Sequence, residues 1–161
     1  MNRTGKRRLL KLAELLEKDA KNKKGMKFDL QKVITTSKKQ PLENFKPALS
    51  CGTTGCAMGL AAVSGAFKRA GLSCKVDVDL NEIITTMHGQ TRDYDNAAVE
   101  LFDISMQEAN YLFTPAYYQH ISRKYGGITY SKVIGAKGEL RVAKRIRKLV
   151  AGEINLYDPT A

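Results

Sequence analysis

The sequence predicts one mainly α-helical domain over residues 1–161, packed around a single buried apolar helix, with at most a short β-strand or hairpin. Three observations predict it. The length of 161 residues, with 43% hydrophobic and 27% charged residues, suits one globular domain with a real core. Both ends show the i, i+3, i+4, i+7 spacing of amphipathic helices. Between them, Gly55 to Phe67 carries no charge at all, which marks a helix buried on every side.

The elements follow in order. Residues 5–20 read as a basic N-terminal helix with Leu9, Leu12, Ala13 and Leu16 inside and Thr4 as its N-cap. Lys21 to Gly25 ends it, with the lysines and glycine that C-termini favour. Residues 28–36 read as a short helix or turn using Phe28, Leu30, Val33 and Ile34. Thr36 to Pro47 reads as a loop. The central apolar helix runs from Cys56 to Phe67, and its small residues (Gly59, Ala61, Ala62) let neighbours approach closely. Lys75 to Leu80 alternates apolar and acidic residues, as one short exposed strand would. Residues 95–102 return to helical spacing. Ser105-Met106-Gln107-Glu108 is a capping box that opens the next helix, which ends before Pro115. A Tyr-rich segment, 116–131, follows. Residues 138–151 form a basic C-terminal helix with Val142, Ala143, Ile146, Leu149 and Val150 inside, closed by Gly152.

Composition narrows the function classes. No run approaches 18 apolar residues, so a membrane span is not expected. The basic start is followed by a Leu-rich stretch broken by Lys11, Glu14 and Glu17, which does not suit a secretory signal and points to the cytoplasm. The three cysteines Cys51, Cys56 and Cys74 are an odd number with no zinc-knuckle spacing, so neither a disulfide framework nor a metal or cofactor site is expected. The net charge of +11 is segregated: residues 1–27 carry +7 and residues 132–148 carry +6, while residues 76–110 carry −7. Two basic ends around an acidic middle can steer a polyanion to one face. The candidate contacts are Lys6, Arg7, Lys11 and Lys18 at one end and Arg141, Lys144, Arg145 and Lys148 at the other.

Three motifs carry possible chemistry. Gly52-Thr53-Thr54-Gly55 before an apolar helix could aim backbone N–H groups at an anion, although no Gly-Lys-Ser/Thr follows to make a nucleotide loop. The competing and stronger reading is a tight, capped helix entry. Cys51 could serve as a nucleophile with His120 as its base. The string Cys51-Gly52 with Ala57-Met58-Gly59-Leu60 loosely resembles the nucleophile helix of papain-like and bacteriocin-processing cysteine peptidases. No strand pattern surrounds His120, and no oxyanion glutamine precedes Cys51. Ala97 to Leu112 has helix-turn-helix spacing, but its second helix offers Gln107, Glu108, Asn110 and Tyr111 without a cation. Phosphate would repel it, and a plain helical hairpin is the better reading.

The layout as a whole resembles a widespread group of small uncharacterised proteins of bacteria and their phages. The shared features are Phe28-Asp29-Leu30, the motif Cys51-Gly52-Thr53 with Cys56, Gly59 and Ala61, Ile104-Ser105 with Glu108-Ala109 and Leu112-Phe113, and Gly152-Glu153-Ile154-Asn155. The resemblance implies a phage or phage-related origin, and hence a place in the host cytosol or the virion. Three functions are carried forward. The first is a non-enzymatic accessory protein that binds nucleic acid non-specifically through its basic terminal helices. The second is a protein-binding module, an inhibitor of a host protein or a virion component, that uses the acidic middle. The third is a cysteine hydrolase using Cys51 and His120.

Overall fold

The computed structural model describes residues 1–22, 27–30, 34–36, 53–77, 82–122, 127–130 and 133–154. Five α-helices are present among them: α1 (Arg3–Asp19), α2 (Ala57–Val63), α3 (Tyr94–Phe102), α4 (Met106–Phe113) and α5 (Gly135–Ala151). The fold is more β-rich than the sequence suggests. Eight short strands form three small sheets: β1 (Lys27–Phe28), β2 (Ile34–Thr36) and β3 (Thr53–Gly55) in the order β1-β3-β2; β4 (Leu72–Asp77), β5 (Glu82–Met87) and β6 (Gln90–Thr91) in sequence order; and β7 (Gln119–Ser122) with β8 (Gly127–Tyr130). The expected limit of one strand or hairpin is therefore corrected. Helices still supply most of the core.

Local chemistry explains the boundaries. Asn2, not Thr4, caps α1: its side-chain oxygen accepts from the Gly5 N–H at 2.8 Å. Asn is at least as strong a cap as Thr, and the earlier start sets Gly5 against the Phe102 carbonyl, where a Cβ has no room. The α3–α4 corner is a helical hairpin. Asp103 takes a left-handed conformation (φ 52°), and Ser105 and Glu108 form the expected reciprocal capping box at 3.2 and 2.7 Å. The C-terminal helix begins at Gly135, earlier than the expected residue 138.

Of the expected short helix or turn over residues 28–36, Phe28 and Asp29 are extended, Leu30 lies in a turn, Ile34–Thr36 form β2, and residues 31–33 lie outside the described residues. Lys27–Phe28 runs parallel to β3, and Asp29 bridges Ile134 ahead of α5. That arrangement buries Phe28 and Leu30 under α5. The alternating strand after Cys74 has its partner in β5, antiparallel from Leu72↔Met87 to Asp77↔Glu82. The hairpin continues into β6 through His88-Gly89, both at positive φ (50° and 82°). Positive φ at both central residues matches the twist of a two-residue hairpin.

One core cluster unites these parts. Every residue of α2 is buried, which explains its lack of charge. It is shorter than expected, because Ser64 closes it and Phe67 to Ala70 enter a 3-10 helix (Lys68–Ala70). The most extensive helix pairing is α1 with α5. Their apolar stripes, Leu9, Leu12, Ala13 and Leu16 against Val142, Ala143, Ile146 and Leu149, are buried in the common core. At about 25 cal/mol per Å² of apolar surface, burial of the leucine, valine and isoleucine side chains contributes roughly 1.5–3 kcal/mol each. No helix among the described residues is long and apolar enough to cross a membrane.

Candidate functional site

The basic terminal helices are neighbours, but the structure sorts their cations into separate tasks. Arg145 is structural. It is only 8% exposed, and its guanidinium stacks over the rings of Tyr118 (3.8 Å) and Tyr111 (4.4 Å). It donates to the Tyr111 carbonyl at 2.9 Å and the Tyr117 carbonyl at 2.6 Å. The last carbonyls of a helix have no partner inside it. Here Arg145 serves Tyr111, and the buried Tyr118 hydroxyl serves Leu112 at 2.6 Å, so the end of α4 is fastened to α5. Burial pushes the Tyr118 phenol up and pulls Arg145 down, while the stacked rings hold the cation in place. Counting Arg145 among phosphate contacts is therefore corrected: its donors point inward.

The solvent face of α5 carries a different set. Lys137, Arg141, Lys144 and Lys148 are spaced i, i+4, i+7 and i+11, which places them on one stripe. The stripe spans about 16 Å at 1.5 Å per residue. Lys137 and Lys144 are exposed, Arg141 and Lys148 half-buried. Arg141 lies 5.3 Å from the Tyr118 ring, which braces its stem. The one carboxylate of α5, Glu139, is buried at 2% exposure and adds no negative charge to this face. Lys137 was missed at the sequence level, although the same spacing that grouped the others reaches it.

On α1, Lys6, Arg7, Lys11 and Lys18 are all exposed. Lys11 approaches Glu14 at 3.5 Å, an exposed pair worth little. Arg141 and Arg145 face Tyr118, whereas Arg147, roughly 200° round the helix from Arg145, faces α1 and grips Glu17 with two hydrogen bonds of 2.8 Å. Those bonds hold the Glu17 carboxyl below its usual range and raise Arg147. On α1, Arg8 stands about half a turn from Glu17 and donates to the Leu101 carbonyl of α3 at 2.8 Å. On α5 the stripe stands about 60–120° round the helix from Arg147, and on α1 Arg7 and Lys11 stand about 80–120° round from Glu17, so neither the stripe nor the Arg7–Lys11 edge stands directly in the α1–α5 contact.

The remaining candidates fare unevenly. Cys51 and Gly52 lie outside the described residues. Thr53 to Gly55 form β3, the middle strand of its sheet, paired on both sides. The anion-loop reading loses the open loop it needs. The seven-residue α2 that follows is capped by the Cys56 sulfur, which accepts from the Gly59 N–H at 3.5 Å. Cys56 is buried and burial pushes its thiol up, as the apolar helix requires. His120 lies on strand β7, paired with Thr129, where the sequence showed no strand pattern. Among the described residues no three His, Cys, Asp or Glu side chains gather as metal ligands. Comparison of the chain with protein-family models, with curated proteins and with solved structures gave no match.

Proposed function

We propose that this protein is a non-enzymatic, phage-related accessory protein that binds nucleic acid without base readout. The observation that carries the reading is the α5 stripe: Lys137, Arg141, Lys144 and Lys148 on one face, with the only carboxylate of the helix turned into the core. A row of cations that enters no ion pair among the described residues attracts a phosphate chain and releases its counterions. No specificity is needed to explain it, because phosphate contacts position a strand and carry no sequence information. The helix that could have read bases, α4, presents Gln107 and Glu108 and buries Tyr111. The same strand can continue to the exposed cations of α1.

The test is retention of the native protein on DNA, RNA and heparin near physiological ionic strength, with elution by a salt gradient. The account expects retention on all three, lost as salt rises. Absence of salt-dependent retention would refute it and would move the protein-binding reading, through the acidic residues of the middle segment, to first place.

A further inference from the structure

We propose that the cleft between α1 and the 3-10 helix that follows α2 is a phosphate-binding site, built by Arg7, Arg8, Lys11 and Arg69. As a seat for a nucleic-acid phosphate it rests on the reading above, and it adds residues that reading does not use. The cleft encloses about 350 Å³, and its wall is completed by Ala66, Phe67 and Ala70. At about 30 Å³ per water, that is room for about a dozen waters, more than a phosphate group alone fills. The ligand class is a phosphate with its attached sugar, in a nucleic-acid strand or in a small phosphorylated molecule.

Four cations line this concavity and, among the described residues, no carboxylate does. Lys11 has the exposed Glu14 beside it at 3.5 Å, whereas the three arginines enter no ion pair among the described residues, so their mutual repulsion falls when an anion joins them. Arg7 and Lys11 lie one turn apart on α1 and so project together. Arg8 cannot swing away, because one nitrogen of its guanidinium is anchored on the Leu101 carbonyl at 2.8 Å. Among the described residues neither Arg7 nor Arg69 enters a hydrogen bond or ion pair, so their donors are uncommitted. Phe67 is buried at 3% exposure and, with the two alanines, makes the apolar wall that strengthens a charge contact by excluding water. Three of the four cations are arginines, whose planar forks match two phosphate oxygens at once. The strong lever is Arg69, which the 3-10 helix supplies from outside the amphipathic helices that dominate the basic surface.

The experiment uses the full chain labelled with ¹⁵N and follows the arginine side-chain N–H signals. Inorganic phosphate is titrated in at constant ionic strength, with chloride as the exchanged ion. A 12-nucleotide oligothymidylate is titrated in a second series. The signals of Arg7, Arg8 and Arg69 should shift saturably in both. The double variant Arg7→Ala/Arg69→Ala should bind phosphate about tenfold more weakly or worse, and Lys75→Ala, an exposed cation of β4 outside both basic sets, should bind it as the native chain does. Shifts that track added salt without saturating would overturn the proposal even if the variant failed to fold. So would equal phosphate affinity in the double variant. Saturable phosphate binding without oligonucleotide binding would uphold the cleft for a small phosphorylated ligand and sink the nucleic-acid reading. Oligonucleotide binding that ignores both arginine substitutions would do the reverse.

Discussion

Glu139 lies on α5 at 2% exposure and is buried beside Asp19 at the end of α1, itself 8% exposed. Two carboxyls buried side by side repel each other unless one holds a proton. Burial first, and then the Asp19 contact, push the Glu139 carboxyl up to about 8. In the unfolded chain it returns to about 4.3. The folded state therefore binds one more proton across the interval between these values. The raised group contributes stability that is complete below about pH 4.3, and it is lost as pH rises through the folded value. One proton of difference gives a slope of about 1.4 kcal/mol per pH unit. From about pH 5.5 to 7.5 the native protein should lose roughly 2–3 kcal/mol from this group. Glu139→Gln keeps the shape and a donor but removes the titration. Urea unfolding at half-unit pH steps measures both proteins. The slope should be present in the native chain and absent or much reduced in the variant. Equal slopes, or native stability that rises over this interval while the variant's does not, would refute a proton held on this buried pair.

Arg145→Ala should destabilise by about 2–5 kcal/mol, since it orphans two carbonyls and empties the space over two tyrosine rings; thermal unfolding reads it, and Arg145→Lys should rescue only part, for want of the planar fork. Ser105→Ala should cost about 0.5–2 kcal/mol in chemical denaturation, whereas Ser105→Asp keeps an acceptor for the Glu108 N–H and should cost less; equal losses would mean the hydroxyl is idle. Cys56 should resist thiol reagents in the folded protein at neutral pH and react on unfolding, because burial both covers it and raises its thiol; Cys74, half-buried, should label first of the two.

The helical half of the fold was legible because it is written in period and caps. Leu9, Leu12, Ala13 and Leu16, the uncharged α2 and the Ser105–Glu108 box each carry a local signal that tertiary contacts merely complete. The sheets were harder. Lys27–Phe28 and Thr53–Gly55 are only two and three residues long, and their partners lie far along the chain, so no window of alternation reveals them. The β5 strand did have a signal, the β-branched run Ile83-Ile84-Thr85-Thr86, and His88-Gly89 fits a hairpin turn. Recognising both would have supplied the partner that the strand after Cys74 lacked. Of the basic cluster, helical spacing found Arg141, Lys144 and Lys148 but could not separate Arg145 from them. Arg145 shares their spacing and differs only in meeting Tyr111 and Tyr118, which are remote in sequence. Arg69 was invisible for the same reason: only the fold brings it to Arg7 and Lys11.

The central claim is that the exposed cations of α5 hold a phosphate chain. The most direct measurement is the salt dependence of binding to a labelled DNA duplex, followed by fluorescence anisotropy in the native protein and in a Lys137→Ala/Lys144→Ala/Lys148→Ala variant. All three lysines sit on the outer stripe and none packs in the core, so the variant should fold. The account predicts that the slope of log affinity against log salt falls by about two to three units in the variant, about 0.9 for each phosphate left without its cation, and that binding weakens equally for unrelated duplex sequences. An unchanged slope would contradict it.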